Sequence, residues 1–136
     1  MRALVVGWAL LMTSGVPALA APAAPNAPQV ESGRRLFARC AGCHEVGARA
    51  RHGFGPQLNG VAGRKAGSAA GYAYSTALKN SGLVWNEQNL AAFIRDSEKV
   101  VPGNKMRFLS FMSEKQATEI VAYLRTQGVE ASPQKR

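Results

Sequence analysis

Apolar positions fall into runs of different character along the chain, and each run predicts a different element. From Ala3 to Met12 the run is almost unbroken, preceded by Arg2 and followed by Thr13-Ser14-Gly15, Pro17 and Ala18-Leu19-Ala20. A basic start, an apolar core of about ten residues and an A-x-A ending describe a secretory signal peptide over residues 1–20, cleaved after Ala20. The run falls short of the roughly 20 residues a spanning helix needs, and no later stretch reads as a span. Residues 21–29 are an Ala/Pro-rich segment expected to be an extended, disordered leader. A first helix is expected from Val30 or Glu31 through Cys40, with Gly33 and Phe37 on one face. Residues 44–81 are rich in Gly, Ala and basic side chains and show little periodicity, apart from a short helix near Ser75–Asn80. Asn86 is a good N-cap for a helix carrying Leu90, Phe93 and Ile94 on one side, ending before Val101-Pro102. Ser113-Glu114-Lys115-Gln116 is a capping box, and Ala117, Ile120, Val121 and Leu124 follow it at helical spacing. The class is all-α, with three main helices and long loops. One domain covers residues 30–128, and a tail frays over 129–136.

A loop region that long is unusual in a small domain unless something other than protein fills its centre. The candidate is marked by Cys40-Ala41-Gly42-Cys43-His44. Two thiols three residues apart share one side of a helical turn, where they can add to the two vinyl groups of one porphyrin edge. His44 follows at once and can reach the iron. C-x-x-C-H is the attachment signature of a c-type haem. A redox dithiol would sit in a βαβ context, and a structural zinc would need a second Cys/His pair. The chain has 2 cysteines in all and shows no strand–helix alternation here. Export strengthens the haem reading, since free thiols in an oxidising compartment become a disulfide unless something else claims them.

The iron's other axial position has few candidates in the exported chain: His52, Met106 and Met112. His52 lies in the same loop as His44, so folding back across a porphyrin is difficult in so short a span. Met106 stands in the Pro/Gly-punctuated loop Pro102-Gly103-Asn104-Lys105-Met106, far enough along the chain to approach from the opposite face. Its polarisable sulfur suits a soft ligand role. Met112 is expected to pack at the entry of the last helix. His/Met ligation raises the reduction potential, fills both axial positions and so points to electron transfer.

Charge adds a partner class. The formal net charge is +9, and loss of Arg2 with the leader lowers it by one. A positive surface suits an acidic protein, an anionic membrane or nucleic acid; with no recognisable nucleic-acid module, the last is not expected.

These pieces together resemble the class I c-type cytochromes, specifically the small mitochondrial-type cytochrome c and its bacterial periplasmic relatives. The resemblance rests on Cys40 to His44, Gly55-Pro56-Gln57-Leu58-Asn59-Gly60, Gly63-Arg64-Lys65, Gly71-Tyr72-Ala73-Tyr74, Trp85 and Pro102 to Met106. It runs without a gap from Cys40 to Gln127, and the first helix is one residue shorter than in mitochondrial forms. It implies the class I cytochrome c fold, with three main helices and long loops wrapped around one haem c held covalently through Cys40 and Cys43. It also implies His44 and Met106 as iron ligands. By position, Pro56 resembles the residue whose carbonyl accepts the N–H of the proximal imidazole. Tyr74 and Trp85 resemble the pair that hydrogen-bonds a haem propionate, Arg64 the cation that offsets its charge, and Phe108 the aromatic beside the exposed haem edge. Gly33 and Phe37 resemble the crossing of the first and last helices near Ile120 and Tyr123, and His52 a histidine that ties two loops together. Two positions depart from the mitochondrial pattern. Phe93 replaces a tyrosine and Leu78 a polar asparagine, which implies a drier pocket beside the distal ligand.

The implied function is a soluble, monomeric, single-haem electron carrier, not an enzyme, working in the periplasm without stable membrane insertion. Its donor would be a quinol-oxidising bc-type complex or a dehydrogenase, and its acceptor a terminal oxidase, a peroxidase or a reaction centre. Arg39, Lys79, Lys99, Lys105 and Arg107 would steer acidic redox partners to the haem edge for brief encounters. Two other readings compete: a peroxidase-like or gas-binding protein with an open distal site, and the haem domain of a larger dehydrogenase.

Overall fold

A computed structural model describes residues 24–128. The signal-peptide segment, residues 21–23 of the leader and the tail 129–136 lie outside the described residues. Five helices follow in order: α1 (Ala27–Phe37), α2 (Thr76–Asn80), α3 (Glu87–Arg95), α4 (Ser97–Val100) and α5 (Glu114–Arg125). Among the described residues no strand forms, and the only β-pairing is an antiparallel bridge between Lys65 and Val84.

Two expectations about boundaries need correction. The first helix starts at Ala27 rather than at Val30, so the leader does not extend to residue 29 as an irregular chain. Asn26 caps it, its side chain accepting the Gln29 N–H while the Gln29 side chain accepts from the Asn26 N–H. Pro28, which read as a mark of disorder, sits in the first turn, where its missing N–H costs nothing. The second correction lies after Asn86. The pattern predicts one helix that ends only before Val101-Pro102, but it breaks at Asp96, which has φ −154° and ψ 86°. The Asp96 carboxylate caps a new short helix by accepting the Lys99 N–H at 3.0 Å. Asp offers the backbone just such a local alternative to continued helix, and the turn sends Ser97 and Glu98 in a new direction.

Helices α1 and α5 cross at Gly33. A Cβ placed on Gly33 would run into the Glu119 carbonyl and come within 2.9 Å of the Tyr123 Cβ, so only glycine lets the backbones approach this closely. Around the crossing, Ser32 Oγ donates to Glu119 Oε2 at 2.7 Å and the Phe37 and Tyr123 rings pack at 5.5 Å. Helix α3 packs on the other flank of α5, and Arg125 pairs with Glu87 at 3.2 Å. The buried core therefore draws Phe37 from α1, Leu90, Phe93 and Ile94 from α3, and Ile120, Val121 and Leu124 from α5. Met112 is buried there too, just ahead of the Ser113 cap. Past α5, Gly128 packs on Asn59, and the Gln127 carbonyl beside it accepts the Gly60 N–H at 3.0 Å.

Candidate haem site

The C-x-x-C-H segment continues α1 as turns. Ala41 donates to the Phe37 carbonyl at 3.1 Å and His44 to the Cys40 carbonyl at 2.9 Å, both in α-helical register. This register sets Cys40, Cys43 and His44 along the wall of one cavity of ≈ 380 Å³, within the size range of small-molecule and cofactor sites. Burial pushes the Cys40 thiol up to about 11; Cys43 adds to the rise and Arg39 opposes it. A redox dithiol works through a depressed, accessible thiolate, so Cys40 is poorly suited to that chemistry. Among the described residues no group of three or more His, Cys, Asp or Glu converges as a metal cluster, which leaves the zinc reading without a ligand set.

His44 is held from behind. Its Nδ1 lies 2.8 Å from the Pro56 carbonyl oxygen. A carbonyl only accepts, so Nδ1 carries the proton and Nε2 keeps its lone pair for a metal. Burial lowers the imidazole's affinity for a second proton, against the opposing pull of the Pro56 carbonyl, and the neutral ring is the ligating form. Gly55 completes the seat: a Cβ there would collide with the imidazole, reaching within 2.6 Å of Nδ1 and 2.8 Å of Nε2. In the sequence Gly55 is only the first residue of the Gly55–Gly60 motif, with no role of its own legible there.

Pro56 and Arg64 line the same cavity, as do Tyr74, Trp85, Met106 and Phe108. The nine residues that the resemblance assigns to the haem thus line one cavity. Arg64 and Trp85 are set side by side by a backbone ladder, Gly63 N–H to the Trp85 carbonyl at 2.7 Å and Trp85 N–H to the Arg64 carbonyl at 2.9 Å. The Arg64 guanidinium donates to the Asn59 carbonyl at 2.9 Å. It also faces Tyr74, whose phenol is pushed up by burial and drawn back by the Arg64 charge. One end of a mostly apolar cavity is therefore polar and cationic, the environment an ionised carboxylate needs if it is to be buried.

His52 is excluded as a ligand by its own bonds. Nδ1 accepts the Gln57 N–H at 3.1 Å, and Nε2 donates to the Ala70 carbonyl at 2.9 Å. Both ring nitrogens are committed, and the side chain ties two loops together.

The methionine loop is organised by a residue whose role is not legible in the sequence. Asn104 is 1% exposed; its Oδ1 accepts the Met106 N–H at 2.7 Å and its Nδ2 donates to the Val101 carbonyl at 2.9 Å. Ser97 Oγ donates to the Met106 carbonyl at 3.0 Å. Arg39, Lys105 and Arg107 also line the cavity, while Lys79 and Lys99 are exposed on α2 and α4.

The residues fit a covalent haem. Two thiols and an oriented imidazole share one wall, a thioether lines the same space, the interior is apolar, and cationic and phenolic groups close one end. Comparison with known proteins agrees. A family model described as Cytochrome c matches residues 30–128. Cytochrome c2 of Rhodoblastus acidophilus is 49% identical over 94 residues, covering 69% of this chain and 88% of that one. Cytochrome c2 of Blastochloris viridis is 40% identical over 125 residues, covering 92% and 93%. Among solved structures, cytochrome cH from Methylobacterium extorquens superposes with a TM-score of 0.67 at 44% identity, covering 71% of this chain and 97% of that one.

Proposed function

This chain belongs to the cytochrome c family, and from that premise we propose that it is an exported, soluble shuttle whose haem iron is held between His44 Nε2 and the Met106 sulfur. Family membership makes it an electron carrier and not an enzyme, with one haem c bound through Cys40 and Cys43. The haem iron supplies the chemistry, taking up one electron and giving it back. The protein's residues do the rest. Pro56 fixes the His44 tautomer, Gly55 leaves room for the ring, and Asn104 sets the backbone of Met106. Two axial ligands held by a packed frame would keep substrates off the iron and make little demand for rearrangement on electron gain.

The observation that carries the reading is the commitment of His44 Nδ1 to Pro56, which leaves Nε2 free in the cavity that Met106 also lines. The competing open-site reading needs a cavity with no ligand opposite His44, and the Met106 thioether lines that cavity. His52 is spent on two loops and the α3 wall residues Leu90, Phe93 and Ile94 bring no ligand, so Met106 is the candidate for the second position. Tyr74, Trp85 and Arg64 are assigned to the propionate end, and Phe108 to the exposed edge.

The N-terminal pattern supports export to the periplasm. Arg39, Lys105 and Arg107 at the cavity, with the exposed Lys79 and Lys99 on α2 and α4, would receive an acidic partner. A quinol-oxidising bc-type complex or a dehydrogenase would be the donor, and a terminal oxidase, peroxidase or reaction centre the acceptor. Such encounters are fast, brief and salt-sensitive.

The test is the absorbance spectrum of the ferric holoprotein. A weak methionine-to-iron charge-transfer band in the far red, lost in Met106→Leu, establishes the ligand pair. Absence of the band at neutral pH, or ready binding of carbon monoxide by the reduced form, would move an open-site protein to first place.

A further inference from the structure

The short helix α4 contacts the methionine loop at both ends. Glu98 Oε1 accepts the Gly103 N–H at 3.0 Å, where the loop begins. Glu98 Oε2 lies 3.5 Å from Arg107 Nη1, where the loop ends, and 3.5 Å from Asn104 Nδ2 between them. Arg107 Nη1 also donates to the Asn104 carbonyl at 2.8 Å, so the guanidinium closes the loop on itself as it reaches Glu98. The neighbouring Ser97, buried at 7% exposure, donates to the Met106 carbonyl. These contacts exist because the chain breaks at Asp96. Two consecutive residues at the start of α4 both address the same loop.

We propose that α4 is a bracket that holds the Met106 loop closed, with Ser97 and Glu98 as positioning residues for the sixth ligand. The inference rests on the His44/Met106 reading and extends it to residues that do not line the cavity. Its physical basis is local. A thioether is a weak ligand with no charge to hold it, so its residence on the iron depends on the free energy of the loop that carries it. Glu98 gives that loop a charge-assisted bond to Gly103 N–H, which is stronger than a neutral one, and an ion pair to Arg107. The ion pair is solvent-exposed and contributes little alone; the bond to the backbone and the Ser97 bond carry most of the hold. Salt therefore weakens only part of the bracket.

Imidazole added to the ferric holoprotein is a direct probe, since it takes the sixth position only when Met106 leaves it. Its apparent affinity reports the open fraction of the loop. Glu98→Ala is expected to raise imidazole affinity about three- to tenfold. Glu98→Gln, which keeps an acceptor for Gly103 but loses the ion pair, should fall between it and the natural protein. Ser97→Ala should raise affinity by a similar factor. Ser32→Ala, which cuts the distant bond to Glu119 between α1 and α5, lowers the unfolding midpoint but leaves imidazole affinity unchanged. Unchanged affinity in Glu98→Ala and Ser97→Ala overturns the proposal, and so does an equal rise in Ser32→Ala. The far-red band separates the two levels. If the natural protein lacks it, the ligand assignment fails and the bracket with it; if the band is present and imidazole affinity does not respond to α4, the bracket alone fails.

Discussion

The Asn104 side chain accepts the Met106 N–H at 2.7 Å while donating to the Val101 carbonyl at 2.9 Å, so one buried carboxamide spans the turn that presents the methionine. An acceptor and a donor are both needed, and they must stand on opposite atoms of one planar group. Asn supplies this at a length that fits the turn.

Replacing Asn104 with Ala leaves the Met106 N–H without its acceptor in a place water hardly reaches, while the Val101 carbonyl keeps only the backbone N–H of residue 104, at 3.2 Å. Each unsatisfied buried group costs about 1–3 kcal/mol. Holoprotein carrying Asn104→Ala should unfold at lower denaturant and show a weakened far-red band at neutral pH. An undiminished band with an unchanged midpoint would show that the loop does not depend on this residue.

Gly55→Ala drives a methyl group into the His44 imidazole. Overpacking of this kind costs about 1–3 kcal/mol. Here it also displaces the ring from the Pro56 carbonyl, which fixes its tautomer. The expected result is a lower ratio of haem absorbance to protein in the exported product, and a lower unfolding midpoint for whatever holoprotein forms. Natural haem content and stability together would mean that the ring has room to retreat.

How much of this was legible beforehand depended on whether a feature is local in the chain. The haem motif, the Ser113 capping box and the apolar positions of α5 are complete within a few consecutive residues, so their pattern was readable. The Asn26 cap is equally local. It was missed because Pro28 in a run of alanine and proline reads as extended chain, although proline in a first helical turn is favourable. The break at Asp96 was missed for another reason. Nothing between Glu87 and Val100 is a strong helix breaker, and the capping that ends α3 and starts α4 acts through a side chain also tolerated inside helices. Gly55, Ser97 and Glu98 matter through partners outside their own segments, contacts that appear only once the loops are placed.

His52→Ala removes an acceptor for the Gln57 N–H and a donor for the Ala70 carbonyl. The loss of the tie between two loops should lower stability by about 1–3 kcal/mol, read by chemical denaturation, while leaving the far-red band in place. Loss of the band at full stability would point instead to a role at the iron.

Phe93 is buried at 7% exposure, its ring 5.0 Å from that of Trp85, and shares the cavity wall with Leu78, Leu90 and Ile94. Leu78, Leu90 and Ile94 offer no hydrogen bond. Phe93→Tyr therefore brings a hydroxyl into an apolar wall, where an unpartnered hydroxyl costs about 1–3 kcal/mol. The Met106 sulfur is a weak acceptor lining the same space. A donor to that sulfur draws charge away from the ligand and favours the reduced iron, one of the ways surrounding hydrogen bonds tune a haem. Redox titration should show the reduction potential of Phe93→Tyr raised by up to about 60 mV, a tenfold change in the one-electron equilibrium. The pH at which the far-red band is lost should move as well, because the same bond alters how firmly the sulfur is held. If both the potential and the pH profile match the natural protein, the new hydroxyl does not reach the ligand, and the apolar wall does not set the potential through Met106.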